Sequence, residues 1–267
     1  MWGMARPVVF VHGLWLHATS WQSWIELFRE AGYEPIAPGW PGEPATVSEA
    51  RANPQAVAGH GITAIAGHYA KVIAALGHKP VIIGHSFGGA ITQNLVGRGL
   101  AEAGVAIDPA PIKGVLALPR SALRFASVAL KNPANRKRAV SLTAEQFRYG
   151  FGNALPEKES ADLFERWTIP SPGRPLFEAA FANFNPGSAA KVNTANASRG
   201  PLLLISGGKD NTVPPAIVKG TLKQYKKSHA VTELIGFPDR GHSLTIDHGW
   251  REVAQSCLDW LKQRSIT

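Results

Sequence analysis

A chain of 267 residues, 45% apolar and 18% charged, suits one large domain with a well-buried core. The formal charge of +9 gathers at Arg136-Lys137-Arg138 and at Lys219, Lys223, Lys226 and Lys227. No nucleic-acid reading motif accompanies it, so the charge reads as solvated helix faces, not as a nucleic-acid surface. Cys257 is the only cysteine, which excludes an intramolecular disulfide and fits a reducing, cytoplasmic setting. Met1 to Pro7 lacks the pattern of a signal peptide, and no apolar run has the length of a bilayer span.

Short Val- and Ile-rich runs alternate with segments of helical period. Val8 to Val11 reads as a buried strand, and Ser20 to Ala31 as a helix with Trp21, Trp24, Ile25 and Phe28 on one stripe. A strand over Glu34 to Ala37 and a Pro/Gly-rich turn precede a helix from about Ala56 to Leu76. Pro80 to Gly84 is a strand, followed by a helix from Gly88 to about Ala101. Val105 to Asp108, Pro201 to Ser206 and Val231 to Phe237 are further strands. Helices begin at Pro214-Pro215 and span about His248 to Gln263. Such alternation predicts a parallel sheet covered on both faces. Residues 110–197 interrupt it with helical pieces, one opened by the capping-box pattern Thr143 to Gln146 and others over about Pro156 to Trp167 and Pro175 to Phe184. The expected layout is therefore a core of residues 1–109 and 198–267, with a helical cap at 110–197.

The sharpest motif is Gly84-His85-Ser86-Phe87-Gly88, a G-x-S-x-G between an apolar strand and a helix. A sharp strand-to-helix turn exposes a nucleophile there, and the helix N-terminus favours developing negative charge. The alternative is a Gly-rich turn with a capping serine. Serine needs a base, and the base needs an orienting acid. Asp210, in the loop after the strand ending at Ser206, and His242, after the last strand, supply them in the order Ser, Asp, His. Asp108 is the reserve acid. His12 and His85 sit in the signature turns and read as structural neighbours. The amides of Leu14, in His12-Gly13-Leu14-Trp15, and of Phe87 are the candidate oxyanion donors. No H-x-x-x-H, H-x-H or C-x-x-C spacing and no phosphate loop is present, so no metal or cofactor is expected.

Taken together, these motifs resemble the α/β-hydrolase superfamily over nearly the whole chain. The resemblance implies a mostly parallel sheet of about six strands, since the chain starts close to the strand before His12-Gly13. The layout His12-Gly13…Trp21…Gly32-Tyr33 is similar to the small methylesterase and hydroxynitrile lyase group. The lyases carry Thr where Gly13 stands and Lys directly after the catalytic histidine, where this chain has Ser243. Both departures favour ester hydrolysis. The resemblance thus implies a serine carboxylesterase acting through an acyl-enzyme on a small-molecule ester. Lactonase and cofactor-free perhydrolase (haloperoxidase) chemistry on the same triad, and a non-catalytic receptor of this fold, remain the alternatives.

Nine of the chain's 23 aromatic residues fall between Arg120 and Pro186. They read either as an apolar substrate pocket or as anchors of the cap. The expected pocket residues are Trp15, Phe147, Phe151, Trp167 and Phe181.

Overall fold

The computed structural model describes residues 5–267. The chain opens with β1 (Pro7–Val11), α1 (Gln22–Glu30), β2 (Glu34–Ile36), α2 (Val47–Ala52) and α3 (Ile62–Ala74). β3 (Val81–His85), α4 (Phe87–Gly97) and β4 (Ala103–Ile107) follow. Residues 110–197 hold α5 (Arg120–Leu130), β5 (Ala139–Val140), α6 (Ala144–Gly150), α7 (Glu157–Trp167), β6 (Ser171–Pro172) and α8 (Arg174–Ala180). β7 (Leu202–Gly207), α9 (Pro215–Gln224), β8 (Thr232–Phe237) and α10 (Trp250–Gln263) complete the order.

Six strands pair in the order β2-β1-β3-β4-β7-β8, every neighbouring pair parallel. Their register keeps the carboxyl ends level: Val11 lies beside Gly84, His85 beside Ile107, and Ile107 beside Ile205. The loops carrying His12 to Leu14, Ser86, Asp108, Asp210 and His242 therefore leave one rim. A parallel sheet covered on both faces needs apolar residues pointing both ways, which is why its strands read as unbroken apolar runs. Val9, Val11, Ile82, Ala106 and Leu204 face one core, with residues of α3, α4 and α9. Val8, Phe10, Ile83, Val105 and Ile205 face the other, with α1 and α10.

Boundaries differ from the sequence pattern where local geometry intervenes. The expected helix from Ala56 begins at Ile62, because Gly59 at φ 76° and a separate turn at 54–57 precede it. The segment Pro175 to Phe184 divides at Phe181 into α8 and a short 3₁₀ turn. Two helices escaped the periodicity reading, α2 and α5. α2 nevertheless carries a full capping box from Thr46 and Glu49. The Thr143–Gln146 box opens α6 as expected.

Phe10 stands at the centre of an aromatic cluster, with ring centroids 4.9 Å from Trp21, 6.0 Å from Trp24 and 5.3 Å from Phe28. Trp24 also donates its indole Nε1–H to the Thr245 carbonyl at 2.8 Å, tying α1 to the loop that bears His242. Trp24→Ala removes a fully buried ring and that tether. We expect a loss of about 3–5 kcal/mol in unfolding free energy by urea titration.

Candidate active site

Ser86 sits between β3 and α4 with φ 57° and ψ −121°, a conformation that L-residues rarely hold. Its amide donates to Ile107 O at 2.9 Å, and its carbonyl accepts from Gly89, Ala90 and Ala110. The turn is thus fixed by both its neighbouring strand and its own helix. Phe87 is the first residue of α4, so its amide has no intrahelical acceptor. Neither the Phe87 nor the Leu14 amide bonds a protein group among the described residues. Both stay available as donors.

The Asp210 carboxylate is held on one side by the Thr212 and Val213 amides, which donate to Oδ1 at 2.6 and 2.7 Å. Its Oδ2 lies 2.6 Å from His242 Nδ1. A carboxylate oxygen can only accept, so Nδ1 carries the proton and Nε2 is left as the basic nitrogen. That Nε2 is buried and has no hydrogen-bond partner among the described residues. The two loops are also joined by backbone, with Lys209 N donating to Arg240 O at 2.9 Å and Gly208 N to Phe237 O at 2.8 Å. Beyond His242, the buried Asp247 pairs with Arg240 and accepts from Ser243 Oγ at 3.1 Å.

A cavity of about 140 Å³ opens onto Ser86 and Phe87. Of the five aromatics expected to line it, only Trp15 does. Phe147 and Phe151 stack on each other at 4.9 Å, and the Phe151 ring stands edge-on to His242 at 4.8 Å. Their role is to wall in the imidazole rather than to face the cavity. Trp167 packs beneath the Arg166 guanidinium, and Phe181 is 59% exposed. The cavity is instead mostly aliphatic: Ile112, Val115, Leu118, Leu123, Leu130 and Leu176 line it, with Phe125. Sequence reasoning looked for aromatics and passed over this stretch.

The sheet order agrees with the comparisons. The model of the "Alpha/beta hydrolase family" matches residues 8–256. The chain belongs to that family. A protein of Escherichia coli K12 named "Putative carboxymethylenebutenolidase" is 30% identical over 83 residues, spanning 27% of this chain and only 29% of its own length. Among solved structures, a monoacylglycerol lipase from Paleococcus ferrophilus is 21% identical, with a TM-score of 0.65 over 96% of this chain and 93% of its own. A methylesterase from Arabidopsis is 16% identical, with a TM-score of 0.65 over 97% and 99%. At these identities the likeness is one of fold.

This α/β-hydrolase carries a second carboxyl at the site. Asp108, fully buried at the end of β4, has its Oδ1 bonded by the Gly207 amide at 2.7 Å. Its Oδ2 is 4.0 Å from His242 Nδ1, against 2.6 Å for Asp210. Burial pushes the Asp108 carboxyl well above the usual carboxylate range, and the charge and hydrogen-bond contact of Asp210 push it the same way. Both causes favour the uncharged form of Asp108, while the geometry pairs His242 with Asp210. Burial and the nearby His242 likewise hold His85 well below the usual histidine range. His85, Asp108 and His242 bring three metal-capable atoms within 4.8 Å of one another.

Glu43, from the Pro/Gly-rich turn after β2, was not marked by any motif. Its carboxylate is buried and reaches both sides of the loop after β1. Oε2 lies 2.9 Å from His12 Nε2, while Oε1 lies 3.6 Å from His17 Nε2 and accepts from the Ala18 amide at 3.0 Å. The Trp40 ring stacks on His12 at 5.1 Å, and its indole donates to His12 O at 3.1 Å. Burial alone would raise the Glu43 carboxyl. The charges of His12 and His17, with hydrogen bonds from His12 and Ala18, outweigh it, and Glu43 ends below its usual value of 4.5. Glu43→Ala leaves the His12 ring and the Ala18 amide without their buried acceptor and is expected to cost about 1–3 kcal/mol. A carboxyl whose pKa falls on folding adds stability above its unfolded pKa and loses it as pH drops through the folded one. The melting-temperature advantage of the wild type over Glu43→Gln should therefore be largest above about pH 4.5 and shrink in acid, as scanned between about pH 3 and 7.

Proposed function

We propose that this protein is a serine carboxylic-ester hydrolase for small to medium apolar esters, with Ser86, Asp210 and His242 as its triad. The observation that carries the reading is the His242–Asp210 bond. It fixes the proton on Nδ1 and leaves a buried, unpaired Nε2 among the same strand-end loops as a serine in a strained elbow. The names of the structural neighbours, a monoacylglycerol lipase and a methylesterase, support the same chemistry. The cavity's aliphatic lining supports an apolar acyl or alcohol group. With Cys257 as its only cysteine the chain forms no intramolecular disulfide, which fits the proposed cytoplasmic setting. No helix of the described residues is long and apolar enough to cross a membrane.

In this mechanism Ser86 Oγ attacks the ester carbonyl carbon as His242 Nε2 takes the hydroxyl proton. The carbonyl oxygen becomes an oxyanion, held by the Leu14 and Phe87 amides. Collapse breaks the bond to the alcohol oxygen, and His242 gives that oxygen its proton. Water then attacks the acyl-enzyme, with His242 again as base, and releases the acid. Asp210 keeps the imidazole in its tautomer and offsets its transient positive charge.

Ser86→Ala should lower kcat/KM on p-nitrophenyl butyrate by about 10⁴ or more without shifting the melting temperature. An unchanged rate, or a wild type that a fluorophosphonate probe does not label, excludes the mechanism. Comparing turnover of esters, lactones and peroxide-dependent halogenation separates ester hydrolysis from the lactonase and perhydrolase alternatives. The two carboxyls should respond differently. Asp210→Asn disrupts the tautomer and should lower kcat by about 10⁴. Asp108 stands 4.0 Å from His242 Nδ1, beyond hydrogen-bond reach, so for Asp108→Asn we expect a change of less than about tenfold. Similar losses in both would assign the acid role to the pair rather than to Asp210.

A further inference from the structure

Five of the seven large apolar side chains exposed among the described residues lie in the cap: Leu116 at 77%, Leu118 at 72%, Leu123 at 49%, Phe181 and Phe184. Leu118 and Leu123 also line the cavity that reaches Ser86, so its mouth is rimmed by apolar groups facing water. Apolar side chains exposed at the mouth of a cavity mark an interaction site.

Charge surrounds the same rim. Residues 109–144 contain seven Lys and Arg residues and no Asp or Glu. Six of the seven, namely Arg120, Arg124, Lys131, Arg136, Lys137 and Arg138, are exposed. None of the six forms an ion pair among the described residues. Helix α5 shows how the layers are arranged. Ala122, Ala126 and Leu130 face the cavity, and Phe125 and Ala129 are buried. Arg120, Arg124 and the following Lys131 recur at helical spacing on the outer stripe, and Leu123 stands between the two. An apolar edge bordered by unpaired cations is the pattern of a surface that lies in a lipid interface. A nucleic acid would satisfy the cations and leave the leucines in contact with water and phosphate.

We propose that the rim formed by Leu116, Leu118, Leu123 and the cationic stripe of α5 docks the protein on an anionic phospholipid surface. The leucines enter the acyl boundary while Arg120, Arg124 and Lys131 meet the headgroup phosphates. The cavity mouth then faces the lipid, so an acyl chain can enter without crossing water. That last step rests on the ester-hydrolase reading. The docking itself does not.

The test is co-sedimentation with phosphatidylcholine vesicles, with and without phosphatidylglycerol, using wild type and Ser86→Ala. Both proteins should bind the anionic vesicles, more weakly as salt rises, and bind neutral vesicles far less. The triple variant Arg120→Gln/Arg124→Gln/Lys131→Gln should lose roughly a hundredfold in vesicle affinity, at about a factor of five per cation. Leu116→Ser should lose several-fold. Both variants should match the wild type on soluble p-nitrophenyl butyrate, which shows that they are folded. Equal binding to both vesicle types, no binding at all, or an unaffected triple variant overturns the proposal. So does binding of duplex DNA through the same three residues without vesicle binding. A wild type that docks but cleaves no ester would sink the hydrolase reading and leave the docking standing.

Discussion

The site depends on a backbone-to-backbone contact that only glycine permits. A Cβ on Gly88 would lie 2.0 Å from Val11 O and 2.6 Å from His12 O. A Cβ on Gly13 would lie 2.7 Å from Ser86 Cβ. The first turn of α4 and the loop after β1 are thus pressed together with no side chain between them. That approach sets the two free amides, Leu14 and Phe87, in the segments that flank the Ser86 side chain. It also explains why β1 and β3 must be adjacent and level at their carboxyl ends, since a shift of register would separate loop from elbow.

The cap braces the same loop from above. Trp15 is held at φ 66°, a region costing of order 1–3 kcal/mol for a non-glycine residue. Its amide donates to Ser171 Oγ at 2.6 Å, its indole to Val140 O at 2.9 Å, and its carbonyl accepts from Ile169 at 3.0 Å. His17 N adds a bond to Trp167 O at 3.0 Å. All these partners lie in the insertion, and β5 and β6 bring Val140 and Ser171 together. The inserted segment is therefore part of what holds the loop of Leu14, the proposed oxyanion donor, in shape, as well as the source of most of the cavity wall. Glu43 performs the matching task from below, through His12 and His17.

The features legible in the sequence were those fixed by local chain geometry. G-x-S-x-G marks a turn whose conformation its own glycines allow, and strand-then-loop order places Asp210 and His242 on the rim. The capping box of α6 was readable for the same reason. Features that arise from tertiary burial were not. Glu43 looks like any turn carboxylate until two histidines from the β1 loop close over it. Asp108 reads as an alternative acid, and only the 2.6 Å and 4.0 Å distances to His242 separate the two carboxyls. The cavity wall failed for a third reason. Aromatic content is conspicuous, yet rings such as Phe147 and Phe151 gain more by stacking on each other against the imidazole than by facing an open cavity.

The buried charges around the site then fall into a consistent pattern. Asp210 faces His242, Glu43 faces His12, and Asp247 faces Arg240. The two groups left over, Asp108 and His85, are both driven toward their neutral forms. An ionised Asp108 would place a second negative charge beside the Asp210 carboxylate, 4.0 Å from His242 Nδ1. The direction of the Asp108 shift, set by burial and by Asp210, lessens that repulsion, and the proposed oxyanion would face the Leu14 and Phe87 amide dipoles and the N-terminus of α4. In a water-poor pocket such dipoles are worth far more than they would be in solvent, because nothing nearby reorganises to screen them.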